Sequence, residues 1–237
     1  MYRILACIVT IIAMTGCAGK STHKGDPWEQ WNRKVYDFNK SVDKTIAKPL
    51  TQGYKAVTPD IVEQGISNVF ANLGDIPTMV NNLLQGKVVD SMSDLGRIVI
   101  NSTIGIAGLW DPATEMGLMK HDEDFGQTLG AWGMNPGPYI MLPFLGPSTL
   151  RDTAAFPADS KLDLFNQINH IPTRNQLTFL QLVDQRSALM KYEDQLRDVA
   201  DEYAFIRDFY LQNRRYKVLD GNIPFEDDCE NPDDCDF

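Results

Sequence analysis

The side chains that most often carry catalysis or bind metals are sparse in this chain. It has three histidines, His23, His121 and His170, and four cysteines. Their spacings match no zinc-protease helix, no serine-hydrolase nucleophile elbow, no Walker phosphate loop and no redox C-x-x-C pair. The sequence therefore predicts no catalytic constellation, no metal site and no cofactor site.

Two short segments could still be interpreted as reactive. Ser148 lies in Gly146–Thr149, but no strand is predicted before it, so we interpret it as the lead into a helix and not as a nucleophile. The segment His121–Asp124 could bind a cation. Because consecutive side chains seldom face one site, a solvated loop is the favoured interpretation.

One cysteine stands at the end of an apolar N-terminal segment. Arg3 precedes a largely apolar run of eleven residues, Ile4–Met14, and Thr15-Gly16 lead into Cys17. A run this short is typical of a signal peptide, since a membrane-spanning helix needs about 20 apolar residues. The ending is similar to a bacterial lipobox, in which the cysteine is acylated; an ordinary secretory signal with an incidental cysteine is the alternative. We expect a signal peptide over 1–16 and lipidation of Cys17.

The residues after Cys17 predict the location of the protein. Ala18 follows, and the absence of aspartate there is typical of Gram-negative lipoproteins sent to the outer membrane. The polar tether, 17–25, spans up to ~3.5 Å per residue, so the body begins within about 30 Å of the membrane. We expect a lipid-anchored protein on the periplasmic face of the outer membrane.

The acidity of the chain is concentrated at its C-terminus. The formal net charge is −10, but residues 220–237 carry eight acids and no Lys or Arg, and the remainder has a formal charge of only −2. A pI of about 4.7 argues against a nucleic-acid partner. We expect 218–237 to be a disordered tail. An oxidising compartment favours a disulfide between its two cysteines, Cys229 and Cys235, although the pairing stays open.

Helix signals dominate between the tether and the tail. Asp26, as an N-cap, with Pro27 and Glu29 predicts the start of a first helix, and Lys48-Pro49 its end. Its apolar stripe is Trp28, Trp31, Val35, Phe38, Val42 and Ile46. Further helices are predicted over 59–74, over 75–86, from Val88 onward and over 172–216. Gly74 ends the first of these, and Met92, Leu95 and Val99 lie on one face of the helix that starts at Val88. Almost no sheet is expected, so the predicted fold class is all-α.

The unusual part of the chain is its middle. Residues 125–150 carry no charge and include five glycines and four prolines, which excludes a continuous helix. The spacings Gly126-x-x-x-Gly130 and Gly133-x-x-x-Gly137 permit close approach of backbones. Uncharged, broken backbone is tolerated at membrane depth only where it is buried in protein or lines a cavity.

Two interpretations of this segment are open. With a lipid anchor nearby, it could line a path within amphipathic helices that lie in one leaflet, and Trp28 and Trp31 would then form a membrane-interface belt. Alternatively, it could be a buried apolar loop of a soluble helical protein, with the tryptophans in the core.

Several segments together resemble the MlaA (VacJ) family of outer-membrane lipoproteins. The similarity begins with Asp26–Glu29, Trp31–Arg33 and Tyr36–Asn39 and continues with Asn101–Gly108 and Asp111–Ala113. It is strongest over Asp124–Gly130 and ends with Trp132-Gly133, Gly137–Tyr139, Leu142-Pro143, Gly146–Ser148 and Arg151-Asp152. It covers roughly 26–215, and we assign 26–217 to an MlaA-like helical domain.

The resemblance implies a ring-like arrangement of short amphipathic helices around a central channel, in the inner leaflet of the outer membrane. It also implies association with trimeric porins, removal of misplaced phospholipids from the outer leaflet, and their transfer to the soluble periplasmic carrier MlaC. This role is non-enzymatic and maintains outer-membrane lipid asymmetry. The alternatives are a structural porin-associated lipoprotein without transport activity and a phospholipase acting on the same lipids.

The uncharged segment and its end supply the candidate lipid-path residues. Candidates for contact with a headgroup are Gln127, Asn135, Tyr139 and Arg151, and candidates for guiding acyl tails are Trp132, Phe144 and Leu145. A headgroup exposed to hydrocarbon would cost several kcal/mol, so a polar lining would lower the barrier. Arg151 could bind phosphate bidentately, and a structural pair with Asp152 is the alternative.

Overall fold

The computed structural model describes residues 23–196 and 199–223. The predicted signal peptide, the Cys17 anchor with most of its tether, and Cys229 and Cys235 of the acidic tail lie outside the described residues. In the described part, no helix combines the length and the apolar character that crossing a membrane requires.

The described residues form ten α-helices and one hairpin, which confirms the all-α fold class. In chain order the elements are α1 (Glu29–Val42), α2 (Lys48–Val57), α3 (Asp60–Leu84), α4 (Val88–Thr103), α5 (Pro112–Glu115), α6 (Phe125–Ala131), β1 (Tyr139–Leu142), β2 (Gly146–Thr149), α7 (Leu150–Leu162), α8 (Ile171–Leu189), α9 (Glu193–Leu196) and α10 (Glu202–Val218). A π-helical turn, Asp43–Ala47, joins α1 to α2.

Two predicted helix ends are wrong. The backbone stays helical across Lys48, and a π-helical turn, Asp43–Ala47, lies just before Pro49, at the place where the missing proline N–H interrupts regular α-helical hydrogen bonding. Helix α3 runs through Gly74 and Pro77 to Leu84. The two predicted pieces are therefore one helix of 25 residues, and its packing along α4 outweighs the local helix-breaking signals.

The first helix begins later than its capping pattern predicts. Its N-cap is Trp28, which makes no side-chain cap hydrogen bond. Asp26 is instead fully buried, and its carboxylate accepts hydrogen bonds from Asn32 Nδ2 at 2.7 Å and from the Tyr203 hydroxyl. This aspartate therefore ties the start of the body to α1 and α10.

The central helices pack with their polar faces inward. The polar side chains buried on α3 are Asn72, Asp75, Thr78, Asn81 and Asn82, and those on α4 are Ser91, Asp94, Arg97 and Asn101. The predicted apolar face of α4 is present, but Met92, Leu95 and Val99 point outward and are exposed. In water such a distribution is unfavourable, because soluble domains bury apolar side chains and expose few large apolar patches.

A small apolar core lies around the hairpin, within the uncharged segment. Val35, Tyr139, Met141 and Tyr203 are its buried members. Strand β1 pairs antiparallel with β2, with Tyr139 opposite Thr149. The backbone is left-handed at Phe144, in the turn between them, and at Gly146, the first residue of β2, with φ of 64° and 84°. The expectation that no strand precedes Ser148 is wrong, because this residue lies within β2.

Candidate functional site

Helix α6 opens the uncharged segment and lies against two arginines. Its N-cap is Asp124, whose carboxylate accepts the N–H of Gln127 at 2.8 Å. A Cβ at Gly126 would lie 2.5 Å from Arg214 Nη2, and one at Gly130 would lie 2.6 Å from Arg151 Nη1. The face of Gly126 and Gly130 is closely approached, but by side chains, whereas the Gly-x-x-x-Gly spacing predicted close approach of a backbone.

Two arginines and two aspartates form an ion-pair cluster beside α6. Arg214 of α10 donates from Nη1 and Nη2 to Asp124 and from Nε to Asp152 at 2.9 Å. Asp152 also accepts from Arg151 Nε at 2.9 Å and from the Tyr210 hydroxyl at 2.8 Å. Burial by itself would raise the pKa of Asp124 and of Asp152, but Arg214 outweighs it and holds both below their ordinary value.

A third carboxylate close to the cluster, that of Asp159, has a pKa shifted in the opposite direction, above its ordinary value. Asp159 of α7 accepts the backbone N–H of Phe125 at 2.8 Å. Burial raises the pKa of Asp159 to about 6; the hydrogen bond from Phe125 opposes this shift, and the negative charge of Asp124 adds to it.

A cavity of about 470 Å³ opens next to the cluster. Its walls come from the loop after α6, the start of α7 and the last turns of α10. Three arginines line it, Arg151, Arg214 and Arg215, and no lining residue is acidic. The apolar part of the wall includes Met134, Pro136, Leu211, Val218 and Leu219. The cavity thus combines guanidinium groups with apolar surface.

The structure places only two of the candidate headgroup contacts at this cavity, Asn135 and Arg151. Gln127 is 1% exposed and donates to the Asp122 carbonyl at 3.0 Å. Tyr139 is fully buried in the aromatic core. The Gln127 Oε1 and the Tyr139 hydroxyl have no hydrogen-bond partner among the described residues, so both are interior groups.

The apolar candidates lie on the outer surface. Trp132 is 58% exposed, and its Nε1 donates to the Leu84 carbonyl at 3.1 Å. Phe144 and Leu145, at the hairpin turn, are 73% and 68% exposed. Phe144 packs edge-on against Phe38 of α1. These side chains lie on the outer apolar surface and do not line the cavity.

The tryptophans at the start of the body are also exposed. Trp28 is 41% exposed and Trp31 is 53% exposed. The interpretation of this pair as apolar core is therefore wrong.

The acidic segment after α5 does not form a cation site. Each of its four side chains contacts a different group: His121 contacts Asp94, Asp122 pairs with Lys217, Glu123 pairs with Lys87, and Asp124 pairs with Arg214. The side chains therefore diverge, as the favoured loop interpretation requires. Ser148 Oγ lies 2.9 Å from Thr153 Oγ1 and 3.2 Å from the Thr149 carbonyl, so its neighbours are not those of an activated nucleophile.

Comparison with known proteins shows the family. The model of the family described as MlaA lipoprotein matches residues 24–217 of this chain. The chain belongs to the MlaA lipoprotein family. The intermembrane phospholipid transport system lipoprotein MlaA of Escherichia coli K12 is 30% identical over 237 residues, which cover 97% of this chain and 93% of that protein.

Two further comparisons agree with this membership. An uncharacterized protein of Rickettsia prowazekii is 40% identical over 127 residues, so the match covers 54% of this chain and about half, 51%, of that protein. A structure solved in a study of the structural basis for maintenance of bacterial outer membrane lipid asymmetry superposes with a TM-score of 0.73. It is 30% identical, and the match covers 82% of this chain and all of that one.

A second buried ion-pair cluster lies in the polar interior of this MlaA-family protein. Arg97 of α4 is 1% exposed, and its Nε donates to Asp75 at 3.1 Å and its Nη2 to Asp111 at 3.0 Å. Its Nη1 donates to the Leu118 carbonyl at 2.8 Å. This arginine therefore fixes α3, α4 and the segment after α5 to one another.

Sequence reasoning missed Arg214 and Arg215. They lie on an amphipathic helix, where arginine is common on a solvated face, and nothing local marks them. Arg214 and its partner Asp124 are 90 residues apart in the chain, so no spacing rule connects them.

Proposed function

We propose that this MlaA-family protein is a non-enzymatic lipoprotein of an intermembrane phospholipid transport system. It removes misplaced phospholipids from the outer leaflet of the outer membrane and passes them to the soluble periplasmic carrier MlaC. The names of its relatives and the subject of the matching solved structure support this role. The main structural support for this role is that polar side chains are buried and large apolar side chains are exposed, the reverse of the distribution in water-soluble proteins.

The outer surface suits contact with hydrocarbon. Large apolar side chains exposed on α1 to α4 and on the π-helical turn between α1 and α2 include Trp31, Phe38, Ile46, Leu50, Val57, Ile61, Val62, Leu83, Leu84, Val88, Val89, Met92 and Val99. Each would cost free energy in water at roughly 25 cal/mol per Å² of exposed apolar area, but not in contact with acyl chains. Several short amphipathic helices with such faces fit a body embedded in one leaflet.

The interior suits the polar part of a lipid. Asp75 and Arg97 are buried and form an ion pair, and buried Asp94 accepts a hydrogen bond from Asn82 and contacts His121. Polar interiors of this kind are tolerated in a bilayer where the buried charges and polar groups have partners inside the protein. We infer that the ring-like arrangement around a polar channel applies to this chain.

The candidate residues fall into two groups, those on the membrane-facing surface and those on the proposed path of the lipid headgroup. Trp28 and Trp31 would lie at the membrane interface, where tryptophan is favoured. Trp132, Phe144 and Leu145 would contact acyl tails, and Asn135 and Arg151 would contact headgroups. We leave Gln127 and Tyr139 out of the path because both are buried and neither lines the cavity.

The location and partners are part of the same proposal. The protein would be anchored through acylated Cys17 on the periplasmic face of the outer membrane, next to a trimeric porin. Its small-molecule partner would be phospholipid, and its protein partners the porin and MlaC. No cofactor is needed, because the lipid is moved without covalent change.

Gene deletion with complementation tests the role. In the deletion strain, we expect more phospholipid in the outer leaflet, measured as lipid cleaved when a phospholipase is added to intact cells. The full-length gene should restore the wild-type level, and a Cys17→Ala gene should not. An alanine at Thr10, inside the expected signal peptide, is the matched control and should restore it.

Two results would contradict the proposal. Unchanged outer-leaflet phospholipid in the deletion strain would favour the structural, porin-associated alternative. Release of fatty acid or lysolipid by the purified protein would favour the phospholipase alternative.

A further inference from the structure

The cavity beside α6 joins two surfaces of different chemistry. Arg151 and Arg214 contribute guanidinium groups on one side, and Leu211 and Val218 of α10 contribute apolar surface on the other. Its volume of about 470 Å³ lies within the range of roughly 300–1,000 Å³ that is typical of small-ligand sites. This combination fits a ligand with an anionic group and an apolar part.

Arg151 is the buried donor of this cavity. The residue is 5% exposed, and its Nε and Nη2 both lie 2.9 Å from Asp152 Oδ1. Its Nη1 has a single contact among the described residues, a separation of 3.4 Å from the Met134 carbonyl, which is too long for a full-strength hydrogen bond. The Nη1 edge therefore retains hydrogen-bonding capacity within a lining residue.

Arg151 is not the only donor to the Asp152 carboxylate. Asp152 also accepts from Arg214 Nε at 2.9 Å, from Arg214 Nη2 at 3.1 Å and from the Tyr210 hydroxyl at 2.8 Å. Asp124, the other partner of Arg214, does not line the cavity either. The carboxylates thus lie behind the wall, and the charges that face the cavity are positive.

We propose that this cavity binds the phosphate group of a phospholipid, with Arg151 Nη1 as the principal donor. A charge-assisted hydrogen bond to a phosphate oxygen is about twice as strong as a neutral one. The acyl chains would leave along Leu211, Val218 and Leu219, since a cavity of this volume holds a headgroup and not a whole diacyl lipid. This site rests on the proposed transport function and adds the chemical group that is recognised.

Lipid binding to the purified full-length protein in a non-ionic detergent tests the site. The probes are dioleoylphosphatidylglycerol and dioleoylglycerol, which differ in the phosphate-containing headgroup, and bound lipid is counted by native mass spectrometry. We expect Arg151→Gln to weaken phosphatidylglycerol binding about tenfold or more and to leave dioleoylglycerol binding unchanged. Arg151→Lys, which keeps the charge but not the planar fork, should fall between the two.

Two controls make the result specific. Arg174→Gln removes an arginine from α8, outside the cavity lining, and should bind both lipids like the wild type. Met134→Trp obstructs the cavity and changes no charge, so it should weaken phosphatidylglycerol binding even if Arg151→Gln fails to fold. Thermal unfolding identifies the variants that are folded.

The possible outcomes separate the site from the transport role. If folded Arg151→Gln and Met134→Trp bind phosphatidylglycerol as the wild type does, the site is wrong, while lipid transport stands. If the wild type binds no phospholipid, the transport proposal itself fails. If inorganic phosphate binds with the same dependence on Arg151 and displaces no lipid, the ligand is free phosphate and the lipid assignment is overturned.

Discussion

Two asparagines of α1 supply hydrogen bonds that a third strand would otherwise give to the hairpin. Asn32 donates to the Tyr139 carbonyl at 3.2 Å and accepts the Met141 N–H at 2.9 Å. Asn39 makes the same pair of bonds at the turn, with the Leu142 carbonyl and the Phe144 N–H. The outer edge of β1 is thereby satisfied by side chains, which explains how a two-stranded hairpin is stable in a helical protein.

The carboxyl of Asp159 should make stability depend on pH. Because its folded-state pKa is about 6, above the ordinary value for aspartate, the folded state binds the proton more tightly than the unfolded state does. The resulting stabilisation is full below about pH 4 and is lost as the pH rises through about 6.

Asp159→Asn should remove this dependence. The amide oxygen can still accept the Phe125 N–H. We therefore expect the free energy of unfolding of the variant, relative to that of the wild type, to rise by about 1–3 kcal/mol when the pH is raised from 4 to 7. Urea unfolding followed by circular dichroism at both pH values measures the difference. Asp60→Asn, at the exposed start of α3, controls for the loss of one negative charge, and parallel pH profiles of D159N and wild type would contradict the prediction.

Among the secondary-structure elements, α6 is held in place through the face that carries Gly126 and Gly130, where the absence of side chains allows close contact. A methyl group at Gly126 would lie 2.5 Å from Arg214 Nη2 and 2.6 Å from Asp152 Oδ1, closer than atoms can approach without a shift. Both atoms belong to the ion-pair cluster, which fastens α6 to α7 and α10. The cluster cannot relax without weakening hydrogen bonds between buried charges.

Gly126→Ala should therefore destabilise the protein by about 1–3 kcal/mol, as overpacking of a close-packed site usually does. Gly53→Ala on α2 is the matched control, because a Cβ there has no atom within 4 Å; it should stabilise by about 0.5–1 kcal/mol through helix propensity. Chemical denaturation in detergent measures both. Equal effects of the two substitutions would show that α6 is not held by close packing.

At the scale of the whole molecule, the exposed apolar surface should determine where the protein resides. Helix α4 shows the principle clearly, because its buried side chains are polar and its exposed face carries Val89, Met92 and Val99. A body with this distribution gains free energy when lipid replaces water around it.

Met92→Lys should weaken association with membranes. A lysine at the centre of the hydrocarbon costs about 2.5–3.5 kcal/mol, so binding of the purified protein to liposomes should fall at least about tenfold. Co-sedimentation with liposomes after removal of detergent measures it. Gln64→Lys, at an exposed polar position of α3, is the control, and an equal loss in both variants would indicate that Met92 does not face lipid.

Local patterns in the sequence were sufficient to predict the class of secondary structure and the family. Caps, turn residues and apolar periodicity act over a few residues, so the helices from Val88 and over 172–216 and the broken backbone of 125–150 were predictable from local signals. The direction of the apolar faces was not. An apolar stripe such as Met92, Leu95 and Val99 marks one side of a helix. The stripe does not show whether that side packs in a core, as in a water-soluble protein, or faces lipid, as in a membrane protein.

Tertiary structure alone decided the rest, because it depends on contacts between distant residues. Packing against α4 carries α3 through Gly74 and Pro77, where local propensity predicts a break. The cavity lies between α6 and α10, and Arg214 of α10, which lines it, pairs with Asp124, a residue 90 positions away in the sequence. Such contacts form only when many elements fold together, so nothing in the spacing of Arg214 or Asp124 along the chain encodes them.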